Sequence, residues 1–256
     1  MLISTYNQYH LGDNLHSLNY LRKVALSEPH SNIKHYCPAL YIEQLLPLLY
    51  GVSNLGLFDI ESAPYDSINL WIGRDNYYFN SPLKENWVNF FLDFSKYISK
   101  ILNVNNPILS KDDLLFDYPD LNPVNKNINK FDFLIINSTP LSMQIHDYSE
   151  KYLIDLTGQL ITLGYSVITT HPTGFTKSTS EMGLSITEIG LLSSFASCIL
   201  GVPNGPMWPT FNVFNKNLIK RRIIWLSSET LNLTDNCICV KSSHEIDFLL
   251  SSAKII

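Results

Sequence analysis

The chain has 256 residues, 45% of them hydrophobic and 16% charged, with 23 acidic against 18 basic side chains and a net charge of -5. That length and apolar content support a core in one large domain or two compact halves, and exclude a disordered chain. The acidic balance argues against nucleic acid as a partner, because neutralising phosphates needs a surplus of Lys and Arg on one face.

Taken in chain order, "MLISTY" (1–6) reads as a short strand and residues 14–26 as a helix, with Leu15, Leu18, Leu21 and Val24 at helical spacing. "NIKHYCP" (32–38) reads as extended, "YIEQLLPLL" (41–49) as a helix that Pro47 kinks or ends, and "SINLWIG" (67–73) as a strand. The stretch 86–102 is a long amphipathic helix whose stripe of Trp87, Phe90, Phe91, Phe94, Ile98 and Ile101 is a core face. Residues 103–130 turn to Asn, Asp, Pro and Lys with no sustained period and are the predicted linker. A second alternation follows, with strands at 131–138, 165–172, 198–203, 221–228 and 237–243 and helices at 148–164, 186–197 and 245–253. Apolar runs of this kind between helices predict strands buried on both faces, hence parallel sheets and an α/β class.

Neither a membrane-spanning run nor a basic leader followed by an apolar stretch is evident, so a cytoplasmic protein is expected. The basic cluster "KNLIKRR", Lys216 to Arg222, allows at most peripheral membrane contact. Cys37, Cys198, Cys237 and Cys239 read as reduced, packed thiols; the last two share one face of a strand but lack further ligands at metal-binding spacing.

Ligands of open α/β sheets lie beyond the carboxyl ends of the strands. "YHLGDNLHSL" (9–18) occupies such a place, with Gly12 suited to a positive φ in the turn and Asp13 at or beside the N-cap of the next helix. A cap explains Asp13 on spacing alone, but a cap does not require the flanking His10 and His16. In the second half "ILGVPNGPMWPTF" (199–211) follows a strand with Asn204, Gly205, Pro206 and Met207, a turn that frees backbone N–H groups for a phosphate; the plain reading is an Asn-Gly turn with Trp208 in the core. "NSTPLS" (137–142), carrying Ser138 and Thr139, and "HPTGFTKSTSE" (171–181), carrying His171 and Lys177, end at the same edge. Glu181 or Glu188 could reach a ribose, although a helix-face glutamate accounts for each.

Residues 11–36 and 184–208 resemble the opening and later blocks of glycosyltransferase family 9, the ADP-heptose:lipopolysaccharide heptosyltransferases. The first block has Gly-Asp after a strand and then a Leu-rich helix ending near Pro29; the second is a helix and strand leading into the loop that carries Gly205. In that loop Pro203 stands where the family has Asp, Asn204 where it has Ser or Thr, and Trp208 where it has His. The resemblance implies a GT-B-like fold of two Rossmann-like halves with parallel sheets facing a central cleft. It places an acceptor-side domain at 1–120 and a nucleotide-sugar-binding domain at 121–256. It also implies metal-independent, inverting transfer of a sugar from a nucleotide-sugar donor to a glycan or glycolipid acceptor. Asp13 matches the family's catalytic aspartate and Gly205 the glycine near the donor diphosphate.

Chemically, Asp13 is the expected general base, kept ionised by its place at a helix start, with His10 or His16 as alternatives. Ser138, Thr139, His171, Lys177 and the N–H groups from Asn204 to Met207 are the expected donor-binding set, standing in for a divalent metal. No cofactor is expected, and no Asp-x-Asp sequence occurs. A non-catalytic nucleotide- or glycan-binding scaffold on the same fold is the competing reading; a nicotinamide enzyme would need Gly-x-Gly-x-x-Gly after a strand, which is missing.

Overall fold

The structure, a computed structural model, describes residues 1–118, 128–139, 149–216, 222–226 (as backbone), 231 and 233–251. It contains two compact units, Met1–Pro119 and Asp120–Ile256. Residues 119–127 of the predicted linker, 140–142 of the "NSTPLS" loop and 217–221 of the basic cluster lie outside the described residues.

In the first unit, β1 (Leu2–Tyr6), α1 (Leu11–Ser27), β2 (Asn32–Cys37), α2 (Ala39–Leu45), β3 (Leu55–Asp59) and β4 (Ile68–Asn69) are followed by α3 (Tyr77–Asn80) and α4 (Trp87–Leu102). The described strands form a parallel sheet in the order β3-β2-β1-β4. At Pro47 helix α2 gives way to a 3-10 turn, Leu46–Leu49, as a proline near a helix end dictates. β3 has no counterpart in the predicted elements. Its sequence, LGLFD, has a Gly and an Asp that disfavour strands, and pairing with β2 from Ile33↔Leu55 to Cys37↔Asp59 overrides that preference. α4 buries Trp87, Phe90, Phe91, Phe94 and Ile98; Leu102, one residue beyond Ile101, completes the stripe.

The segment 103–118 is not a linker. Ile108, Leu115, Phe116 and Tyr118 are buried, and a 3-10 turn, Lys111–Leu114, is closed by a capping box between Ser110 and Asp113. Four buried apolar side chains spaced irregularly among polar ones pin a segment that shows no period.

In the second unit, β5 (Phe131–Ile136), α5 (Glu150–Thr162), β6 (Val167–Thr169), α6 (Ile186–Ser193), β7 (Ala196–Gly201), α7 (Val213–Lys216), β8 (Arg222–Leu226), β9 (Cys237–Val240) and α8 (Ser243–Ser251) build a parallel sheet of order β6-β5-β7-β8-β9. β5 and β7 are buried on both faces, around a core of Phe133, Ile135, Leu153, Leu156, Leu200 and Val202. In the first unit β1 instead alternates between buried and more exposed residues, so the two-faced expectation holds for the second sheet's centre alone. At the end of β7, a Cβ on Gly201 would stand 2.6 Å from the Ile136 Cβ and 3.0 Å from the Met207 sulfur, so only glycine lets these strands and the following turn close up.

Cys37 and Cys198 are buried thiols that form no disulfide. Burial pushes the Cys37 thiol up to about 11. Cys237 and Cys239, two apart on β9, hydrogen-bond to each other; this draws the Cys239 thiol down to about 6 and lifts that of Cys237. Among the described residues no helix is long and apolar enough to cross a membrane, and no three His, Cys, Asp or Glu side chains come together as a metal site.

Candidate active site

Each sheet reverses its strand order once: β1 lies between β2 and β4 in the first unit, and β5 between β6 and β7 in the second. Such switch points open a crevice at the carboxyl ends of the strands.

In the first unit the chain leaves β1 at Tyr6 and enters α1 at Leu11 through a loop held by buried amides. The Asn7 side chain donates to Ser17 Oγ at 3.0 Å and its Oδ1 accepts the Tyr9 N–H at 3.1 Å. Asn14 donates to the carbonyls of Tyr9 (3.2 Å) and His10 (3.1 Å). Behind Asn14 lies His35, whose Nε2 is 3.4 Å from Asn14 Oδ1 and whose Nδ1 is 2.9 Å from Thr5 Oγ1. A carbonyl oxygen only accepts, so Nε2 carries the proton and Nδ1 accepts from Thr5. Complete burial drives the His35 pKa down to about 3 and keeps this ring neutral.

Asp13 stands in the first turn of α1, but the N-cap is His10, whose side chain makes no capping bond. The helix therefore starts three residues before the predicted one. Gly12 lies inside it and is not among the glycines with positive φ. The Asp13 carboxylate turns back to accept the His10 backbone N–H. Desolvation dominates its titration. Burial raises the pKa from 3.8 to about 6 against the lowering by His10, so the helix start does not keep Asp13 strongly acidic as expected. Tyr41, at the start of α2, is a neighbour that the sequence reading missed: its hydroxyl bonds the Leu11 backbone, and burial and the Asp13 charge raise its pKa. No pattern in the chain links positions 13 and 41.

His10 is exposed beside Asp13, whereas His16 belongs to the core. The His16 ring stacks on Phe91 at 4.2 Å and lines a cavity of about 40 Å³ with Tyr20, Phe94 and Ile98. Burial lowers its pKa to about 3, too weak a base for the expected role, so His16 is set aside from the catalytic group.

In the second unit Thr170, which the sequence reading did not single out, is the hub. Its Oγ1 accepts from the N–H groups of Asn137 (2.9 Å) and Ser138 (3.2 Å) and from Ser138 Oγ (2.9 Å), and donates to Asn137 Oδ1 at 3.1 Å. Asn137 also pairs with the backbone of His171, accepting its N–H at 2.8 Å and donating to its carbonyl at 3.1 Å. Asn204 donates to the Ser138 carbonyl at 2.8 Å and accepts the Met207 N–H at 3.1 Å, capping the 3-10 turn Gly205–Thr210. The ends of β5, β6 and β7 are thereby joined, bringing Ser138, Thr139, His171, Asn204 and Gly205 to one edge. Lys177 sits exposed on the loop after β6, which returns through the Thr169↔Ser178 bridge.

Two parts of the donor-binding expectation change. The Met207 N–H is already taken, Pro206 has none, and the Ser138 hydroxyl proton points to Thr170, so the turn offers a phosphate the Gly205 N–H and the exposed Thr139 rather than a ring of free donors. Glu181 and Glu188 are also engaged locally: Glu181 accepts from Ser178 N–H and Oγ, and Glu188 closes a capping box with Ser185. Trp208 is buried against Phe211, as the plain reading held. We expect Asn204→Ala to cost about 1–2 kcal/mol in urea unfolding through the lost cap, with a further loss from the freed Ser138 carbonyl; an unchanged midpoint would contradict the bonds described.

No protein-family profile matches the sequence, and no curated protein matches it. Solved structures do match by shape. The E. coli heptosyltransferase WaaC bound to ADP-2-deoxy-2-fluoro heptose aligns over 99% of this chain and 100% of its own, with a TM-score of 0.53 at 10% identity. The glycosyltransferase family 9 protein of Veillonella parvula DSM 2008 aligns over 100% and 90%, with a TM-score of 0.54 at 10% identity. The dodecameric iron-containing glycosyltransferase TibC of enterotoxigenic E. coli aligns over 94% of this chain and 63% of its own, with a TM-score of 0.54 at 15% identity. The chain therefore has the heptosyltransferase-like, GT-B-like fold of glycosyltransferase family 9.

Proposed function

We propose that the protein is a metal-independent, inverting glycosyltransferase that uses a nucleotide-sugar donor and a glycan or other hydroxyl acceptor. The observation that carries this reading is the place of Asp13, a carboxylate in the first turn of the helix that follows β1, whose burial raises its pKa to about 6, close to working pH. An acceptor hydroxyl gives its proton to Asp13 as its oxygen bonds the anomeric carbon. The bond from that carbon to the diphosphate breaks on the opposite face, inverting the centre. The nucleoside diphosphate leaves with the electron pair, a charge to which the donors of the second unit, the Gly205 N–H, Thr139, His171 and Lys177, are suited. His10, exposed and next to Asp13, is the route by which the proton returns to solvent. WaaC was solved with an ADP-heptose analogue and with ADP, which makes an adenine nucleotide the first donor to try.

A nucleotide- or glycan-binding scaffold is the second reading, favoured by the 204–207 turn, whose Met207 N–H and Asn204 amide are bonded within the protein. Thermal shift with ADP, GDP, UDP and CMP, followed by nucleotide release from the matching sugar donors with mixed glycan acceptors, separates the two. A ligand that binds only the native state stabilises it by RT ln(1 + [L]/Kd) and so raises Tm. Transfer predicts one preferred nucleotide and acceptor-stimulated release; binding without release from any donor would establish the scaffold.

A further inference from the structure

Beside the Asp13 loop, the first unit holds an open groove of about 500 Å³ to which the donor and base residues do not contribute. It lies at the β1/β4 switch point and is lined by Tyr6 and Tyr9 from the end of β1 and by Asn69, Trp71, Arg74 and Asp75 from the end of β4. One wall is aromatic: the Tyr9 and Trp71 rings stack at 4.0 Å and 27°. Gly73 holds Trp71 in place by close approach, since a Cβ there would fall 2.4 Å from the indole ring. The opposite rim is polar and internally neutralised. Arg74 Nε bonds Asp75 Oδ2 at 2.9 Å and its Nη1 donates to the Asn69 carbonyl at 2.7 Å, while Tyr97 OH donates to the same Asp75 oxygen at 2.9 Å. Asp75 and Asn76 both have positive φ, 51° and 57°, a costly pair of non-glycine residues in the left-handed region.

An aromatic ring face, backed by a second ring and set opposite polar groups, fits a ligand with one C–H face and a rim of hydroxyls. The one charged pair in the lining, Arg74 and Asp75, cancels, so the groove offers no net positive field for a phosphate or carboxylate. We propose that this groove binds an uncharged pyranose ring, stacked on the face of Tyr9 that Trp71 does not cover, with its hydroxyls on the Asp75 carboxylate and the Asn69 and Asn76 amides. Resting on the transferase reading, it is the acceptor subsite, and Tyr9, one residue before the His10 cap, links sugar binding to the loop that carries Asp13.

The test is saturation-transfer NMR and fluorescence titration of the full chain, without any donor, using methyl α- and β-hexopyranosides and lactose, with glucose 6-phosphate as the charged comparison. Saturable binding in about the millimolar range is expected, with saturation strongest on one ring face and the phosphate conferring no advantage. Tyr9→Ala should weaken binding at least 10-fold and Tyr9→Phe should restore it, with circular dichroism and Tm showing both variants folded; Asp75→Asn should weaken it several-fold. Absence of saturable binding by every neutral glycoside, tighter binding of the sugar phosphate, or binding indifferent to Tyr9→Ala in a folded protein would each overturn the proposal. Because no donor is present, sugar binding that depends on Tyr9 in a protein that cleaves no donor would defeat the transferase reading and leave the groove standing. Donor cleavage with no glycoside binding would do the reverse.

Discussion

Asp13→Asn is expected to lower sugar transfer at pH 7.5 by about 100- to 10,000-fold, the range a positioned general base contributes, while making the folded protein more stable. The two effects share one cause. Burial penalises the Asp13 carboxylate and lifts its pKa from 3.8 to about 6. Between those values the native state binds more protons than the unfolded chain. Asp13 therefore stabilises the fold most in acid and loses that contribution as pH rises through 6. Above pH 6 the ionised group costs up to about 3 kcal/mol, and the neutral amide removes most of that cost. In wild type the transfer rate should climb with pH through an apparent pKa of about 6 and then level off, since the base acts only when ionised. The variant should unfold at higher urea than wild type at pH 7.5, and the gap should close near pH 4. A variant that keeps wild-type transfer would remove Asp13 from the chemistry. One that loses activity and stability together would mark it as a structural cap held by the His10 N–H.

The second large effect is acid sensitivity of the first unit. His35 is fully buried there and His16 is half-buried with its Nε2 shut from solvent, and desolvation lowers both pKa values from 6.5 to about 3. A depressed histidine pKa means that the unfolded chain gains protons first, so each ring withdraws stability as pH falls from 6.5 toward 3. At pH 5 the loss is about 2 kcal/mol per ring, about 4 together, against about 1 returned by Asp13 over the same interval. Net destabilisation of about 3 kcal/mol between pH 7.5 and 5 is a large part of a typical domain's stability. Urea midpoints at the two pH values measure it directly. His16→Phe keeps an aromatic ring beside Phe91 and Phe116 and cannot titrate, so it should recover about half of the acid loss. A pH dependence identical in wild type and His16→Phe would mean that His16 reaches solvent and takes up its proton in the native state.

How far each feature was legible follows from where its cause lies. Helical spacing in residues 86–102 and the apolar runs around Phe133 and Ile199 are local patterns, and they identified α4, β5 and β7. β3 escaped because its five residues carry no strand preference and owe their conformation to β2 across the sheet. The segment 103–118 read as a linker because Ile108, Leu115 and Phe116 sit at no regular interval, yet all three are buried. At the site, Gly-Asp after a strand marked Asp13, and Asn-Gly-Pro after another marked Asn204. Thr170 could not be found, because a lone threonine among "ITTHP" looks like its neighbour until β5 and β6 are laid side by side.

The sequence by itself determined the alternation of strands and helices, the α/β class, and the strand ends at which polar residues gather, since these follow from periodicity over a few residues. Only the tertiary structure decided that Asp13 lies in the first turn, bonded to the N-cap N–H and raised in pKa by burial, that His16 packs into the core, and that the turn at Asn204 uses its own Met207 N–H. Desolvation and hydrogen-bond satisfaction are sums over groups brought together from distant parts of the chain, and no window along the sequence contains those sums.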